Sequence, residues 1–155
     1  MRHTMIWLIG IAGAVVLLIA VIALSPKGQP QVGISNGQLR TCPGSPNCVS
    51  SEFGGEAFYI APLAFTGDRE RAWSSIREAV RSAGGAIQSE GNGYLWATFT
   101  SSVLRFVDDL ELRMDADNSV IHVRSASRVG YSDLGVNRKR VEQVRSLFSP
   151  TQSQE

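Results

Sequence analysis

Cysteine and histidine are scarce in this 155-residue chain, with two of each. Leaving out His3, only Cys42, Cys48 and His122 remain as soft ligands, fewer than the roughly four N or S donors of a structural zinc site. Five residues separate the two sulfurs, which excludes a Cys-x-x-Cys redox pair. No Gly-x-Ser-x-Gly elbow or other activated-serine context occurs, and there is no internal repeat. Asp108 and Asp109 are adjacent, so a strand sends them to opposite faces and gives no paired-carboxylate centre. An excess of charge is missing too. With Arg2 set aside, 14 basic residues meet 14 acidic ones, a balance that disfavours a nucleic-acid partner. No catalytic residues, metal or cofactor are expected from these patterns.

What the chain has in plenty lies at its start. Residues 5–24 (MIWLIGIAGAVVLLIAVIAL) carry no charge, and twenty residues at about 1.5 Å each reach about 30 Å, the thickness of a hydrocarbon core. This composition predicts a single-pass transmembrane signal-anchor helix. A cleaved signal peptide fits less well, because its apolar region is usually about 7 to 15 residues long. Cleavage after Ser25 would also place Pro26, with its fixed φ and missing N–H, in the protease groove. Arg2 before the run and Lys27 after it give a small bias that puts residues 1–4 in the cytoplasm. The remainder is then expected in the periplasm or outside the cell, held at the cytoplasmic membrane.

Residues 25–40 are rich in Gly, Pro, Gln and Ser and read as a flexible linker. The globular domain is expected over residues 41–148, and residues 149–155 as a disordered tail. At its N-terminal edge, TCPGSPNCVSS places Pro43, Gly44, Pro46 and Asn47 between the cysteines, turn chemistry that lets a short loop close. A Cys42–Cys48 disulfide suits an oxidising compartment, with free or redox-active thiols the competing reading.

An apolar stretch at 58–65, broken by Pro62, reads as an edge strand. A helix follows, capped by Thr66 or Asp68, with Ala72, Trp73, Ile76, Ala79, Val80 and Ala83 at helical spacing and Gly84-Gly85 ending it. Strands at 86–90 and 94–100 flank Gly91-Asn92-Gly93 as a hairpin. Leu95, Ala97 and Phe99 share one face and Tyr94, Trp96 and Thr98 the other, without a sign of which is inward.

Strands at 107–115 and 120–128 are joined through an expected two-residue Asp117-Asn118 turn. That register sets Met114 against Ile121, Leu112 against Val123, and Glu111 against Arg124 as an ion pair on the opposite face. Farther along, Leu110 meets Ser125 and Asp108 meets Ser127, so one end of the apolar face turns polar. A final helix runs from Val136 or Asn137 to Phe148, with Asn137 as its N-cap and Val141, Val144, Leu147 and Phe148 on one stripe. The sum is an α+β fold: the transmembrane helix, then a small two-layer domain with an antiparallel sheet of about five strands and two helices, in the order β-α-β-β-β-β-α.

The chemically dense region is residues 124–140, RSASRVGYSDLGVNRKR. Guanidinium forks grip carboxylate or phosphate at two points, and a helix N-terminus adds N–H groups. Arg124, Arg128, Arg138 and Arg140, with Ser125, Ser127, Asp108, Tyr131 and Asp133, are therefore the candidate ligand-binding residues. The competing reading is that Asp108, Asp109, Glu111, Asp115 and Asp117 on the facing strand simply neutralise the arginines. Two functions follow: a non-enzymatic module for an anionic lipid, glycan or protein partner, or a hydrolase-like envelope enzyme using Asp108, Ser127, Tyr131 and Asp133. A serine triad through His122 is not expected, since His122 shares its face with Arg124 and neighbours Arg113, not Ser125.

The ordered set CPGSPNCVSS, the aromatic strand, SxxLRFVDDLELR and RSASRVGYSDLGVNRKRVEQVR resembles the bacterial and plastid domain of unknown function 1499 family. The likeness covers nearly all of the chain after the first helix. It implies no activity, because the family has none agreed that transfers residue by residue.

Overall fold

The computed structural model describes residues 2–24, 28–53 and 55–148, so the expected tail at 149–155 lies outside the described residues. The first element, α1 (Arg2–Leu24), is helical as the run of apolar residues without proline requires. The transmembrane reading of it is corrected: among the described residues no helix is long and apolar enough to cross a membrane.

The segment read as a linker is structured in part. Strands β1 (Ile34–Ser35) and β2 (Gln38–Leu39) pair antiparallel. Asn36 and Gly37 between them both take positive φ, 52° and 78°, the turn that an Asn-Gly pair adopts at little cost in a two-residue hairpin. Leu39 is fully buried.

The main sheet contains β3 (Cys48–Ser50), β4 (Leu63–Ala64), β5 (Ala86–Gly91), β6 (Tyr94–Thr100), β7 (Val107–Asp115) and β8 (Val120–Ser127), in the order β3-β8-β7-β6-β5 with β4 also on β8. Six strands replace the expected five, because three-residue β3 is too short to show a period. The edge strand at 58–65 shrinks to β4, which starts only after Pro62, a residue with no N–H to give to the ladder. Between β7 and β8 the register is the expected one: Asp108 with Ser127, Leu110 with Ser125, Glu111 with Arg124, Leu112 with Val123 and Met114 with Ile121. The connection is a four-residue loop rather than a two-residue turn, with Ser119 at φ 53°.

Helices α2 (Arg69–Ser82) and α3 (Val136–Leu147) cover one face of this sheet. Asp68, not Thr66, caps α2, its carboxylate accepting from Arg71 N–H at 2.9 Å. Ile76, Val80, Val141 and Val144 from the helices meet Leu95, Ala97, Leu110, Leu112, Ile121 and Val123 from the strands, all with essentially no exposed surface. Each of these Val, Leu and Ile side chains contributes about 1.5 to 3 kcal/mol of burial. The inward face of β6 is thus the Leu95 and Ala97 face. On α3 two expectations change. Leu147 is 42% exposed and lies off the buried stripe, and Asn137 is not the cap but a fully buried residue of the first turn.

The opposite face of the sheet carries Tyr94, Trp96, Asp109, Glu111, Arg113, His122 and Arg124, since strand side chains alternate. Residues 28–47, ahead of β3, lie over it as a strap. Gly33 N–H reaches Glu111 Oε1 at 2.6 Å, and Glu52 accepts from Leu39 N–H at 2.7 Å while pairing with Arg113. The expected two layers therefore become three: helices, sheet and strap.

Candidate functional site

Alternation along β8 divides the arginine-rich region in two. Arg124 and Arg128 stand on the strap side, whereas Ser125 and Ser127 point toward the helices, where Arg140 joins them.

On the strap side, Arg124 is 3% exposed and its Nη1 lies 2.7 Å from Glu111 Oε2. Glu111 Oε1 also accepts from Tyr94 O–H at 2.8 Å. Burial, reinforced by the adjoining Glu111 carboxylate, pushes the Tyr94 phenol far above its ordinary pKa. Next to this group, Arg128 grips both oxygens of Asp109 through Nε at 2.9 Å and Nη2 at 2.8 Å. Trp96 Nε1 donates to the same carboxylate at 2.8 Å, and the guanidinium lies 6.0 Å from the Trp96 ring centroid. The hydrogen bonds that Arg128 donates to Asp109 hold its pKa above its usual value.

Between these two ion pairs and the strap is a cavity of about 240 Å³, bordered by Arg124, Arg128, Asp109, Asn47, Gln31 and Gly130. Its rim includes Pro43 and Ser45 of the loop closed by the Cys42–Cys48 disulfide, whose Cα atoms are 5.7 Å apart. Asn47 fixes that loop. Its Nδ2 donates to Gly130 O at 2.6 Å, its Oδ1 accepts from Ser45 Oγ at 2.9 Å, and its carbonyl accepts from Ser127 N–H and from Asn137 Nδ2.

On the helix side the polar end of the core face is a closed network. Asn137 Oδ1 accepts from Ser125 Oγ and from Arg140 Nη1, both at 2.6 Å, and Asn137 Nδ2 donates to Ser127 Oγ at 3.0 Å. Arg140 Nη2 meets Asp108 Oδ2 at 2.6 Å, with its guanidinium 4.7 Å from the Phe99 centroid. Arg138 donates to the carbonyls of Tyr59 and Ala57, pinning the loop ahead of β4. Asp133 accepts from Gly135 N–H at 2.9 Å and Asn137 N–H at 2.7 Å, so it is the carboxylate that caps α3. Tyr131 is 77% exposed and outside both groups. Asp108, Ser127, Tyr131 and Asp133 are consequently not gathered around one point where a substrate could react.

Several participants were not singled out in the sequence: Glu111 as a buried anchor, Asp109, Asn47, Trp96, Tyr94 and Gln31. Alternating acids at 109 and 111 were the available signal, but only a covered second face turns them into site residues. Ser51 is another. Its Oγ lies 3.1 Å from His122 Nδ1 and accepts from Val123 N–H at 2.9 Å, while His122 Nε2 is 3.5 Å from Asp115 Oδ2. These three residues follow the order of a hydrolytic triad with the imidazole reversed, since in the triad Nε2 faces the serine and Nδ1 the acid. Here the serine extends the β3 edge onto β8.

Such an arrangement defines a class: a disulfide-closed, sheet-rich α+β domain whose charged sheet face is sealed by its own N-terminal strap. Residues 38–148 match the family model described as protein of unknown function (DUF1499), and the chain belongs to that family. No curated protein and no solved structure matches the chain.

Proposed function

We propose that the domain is a non-enzymatic binding module that holds an anionic ligand in the cavity between Arg124 and Arg128. The reading narrows the original candidates, because Arg124 and Arg128 border the cavity and Arg138, Arg140, Asp108 and Ser125 do not. One observation carries it: Arg124 borders the cavity, yet its Nε is buried with no hydrogen-bond partner among the described residues. A buried donor left unmet costs about 1 to 3 kcal/mol, a cost that a bound anion relieves. The disulfide supports a place of action in an oxidising compartment, the periplasm or cell exterior.

The experiment is isothermal titration of the full chain with sodium acetate, sodium lactate and inorganic phosphate. Ala126 lies on the cavity wall without carrying charge, so Ala126→Leu should fill the space and remove binding while leaving the unfolding midpoint near that of the parent. Titrations flat for all three anions would sink the proposal.

A further inference from the structure

Resting on that reading, we infer that the ligand is a small carboxylate rather than a phosphate, recognised through the Nε edge of Arg124, which no described residue hydrogen-bonds. The first argument is geometric. Nη1 of Arg124 is committed to Glu111, so Nε and the outer Nη2 hydrogen form the remaining planar fork. Two parallel N–H groups match the two oxygens of a carboxylate.

The second is charge. Arg124 with Glu111 and Arg128 with Asp109 already form two neutral pairs at 2.7 and 2.8 Å. A monoanion adds one charge to this balanced group, whereas a phosphate dianion adds two, each buried charge facing a desolvation cost of several kcal/mol.

The third is the inventory of donors and acceptors. Both Asp109 oxygens are occupied by Arg128 and Trp96, and Asn47 is engaged through its Oδ1 and Nδ2. The unspent guanidinium donors are Arg124 Nε and Arg128 Nη1, which stands outside the ion pair, while the side-chain amides of Gln29 and Gln31 at the wall can donate or accept. A lining of this kind selects an acceptor-rich guest.

Size completes the description. The cavity of about 240 Å³ equals the liquid volume of roughly eight waters. It admits an acid with the bulk of a hydroxy or amino acid and is too small to enclose a nucleotide or an entire lipid. Gln29 and Gln31 are placed to meet a polar substituent beside the carboxylate.

The test compares sodium lactate, sodium acetate and inorganic phosphate on the full chain by isothermal titration at pH 8, where phosphate is mainly the dianion. Lactate should bind at least about tenfold more tightly than phosphate. Arg124→Lys, which keeps the charge and loses the fork, should weaken lactate at least about tenfold and phosphate much less. Because Arg124→Lys could unfold the domain around Glu111, Ala126→Leu serves as the second variant and should abolish lactate binding in a folded chain. Phosphate binding as tightly as lactate overturns the carboxylate assignment while leaving an anion site standing. No binding by any probe overturns both readings, and lactate binding retained in Ala126→Leu removes the ligand from this cavity.

Discussion

Glu111 stands directly opposite Arg124 across β7 and β8, and the pair is shut from solvent, the carboxylate fully buried and the guanidinium 3% exposed. The contact lies on a sheet face that in most antiparallel sheets of this size would be wet. Here the strap covers it and supplies a third partner, Gly33 N–H.

Removing one member of this pair leaves a buried charge without compensation. Glu111→Ala should cost about 3 to 5 kcal/mol, measured by urea unfolding. The joint change Glu111→Leu with Arg124→Met should recover most of that loss, because packed apolar residues can replace a buried ion pair. A double variant no more stable than Glu111→Ala would show that strap contacts, rather than stranded charge, dominate.

Tyr94 ties the same cluster to alkaline pH. Its folded pKa is raised, first by burial and then by Glu111, so the stabilisation is fully present below the unfolded value near 10 and declines as pH rises beyond it. Over that window one proton accounts for about 1.4 kcal/mol per pH unit. Tyr94→Phe should make the stability curve above about pH 10 flatter than that of the parent by up to this slope. Parallel curves for parent and variant would mean that Tyr94 ionises freely in the folded chain.

The Cys42–Cys48 bond closes a short loop, and in the chain-entropy model its loss costs about 2 kcal/mol. Replacing both cysteines by serine should lower the unfolding midpoint accordingly. Since Asn47 sits inside the loop and holds Gly130, the variant should also show faster hydrogen exchange at residues 128–131. Unchanged exchange there would separate the loop from the cavity rim.

Asp133 is predicted to matter for stability alone. It accepts from two N–H groups at the start of α3, so Asp133→Ala should cost about 1 kcal/mol and leave anion titrations as they were. A loss of binding in a folded Asp133→Ala chain would bring the α3 start back into the site.

Much of the sheet was legible because two signals agreed. Leu112, Val123, Met114 and Ile121 alternate in step, and the Ala116 to Ser119 loop allows only the register that pairs them. The candidate site was less so, for a reason visible at Ser125 and Arg124. Adjacent in sequence, they lie on opposite sides of a strand, and a cluster dense in the chain is divided by the sheet it belongs to. The strap was hidden further, since its hold on the sheet comes from Gly33 N–H, Glu52 and a single buried Leu39 rather than from any periodic apolar pattern. Its Asn36-Gly37 turn was the one local sign. The first helix shows the reverse: a strong compositional signal produced a helix, yet among the described residues no helix is long and apolar enough to cross a membrane.

The strap's hydrogen bonds join positions far apart in the chain, 78 residues between Gly33 and Glu111 and 90 between Asn47 and Asn137. Residues 28–47 therefore find their places only after β7 and β8 exist, and one of their bonds waits for the final helix. During synthesis the hairpins and α2 can assemble from neighbouring segments, while Glu111 and Arg124 stay wet until β8 has been made and the strap can fold back over it. A polypeptide truncated ahead of Asn137 would keep the sheet's pairings and lose the Asn137 bond to Asn47 that ties the strap to the final helix. Assembly thus ends, rather than begins, at the N-terminal edge.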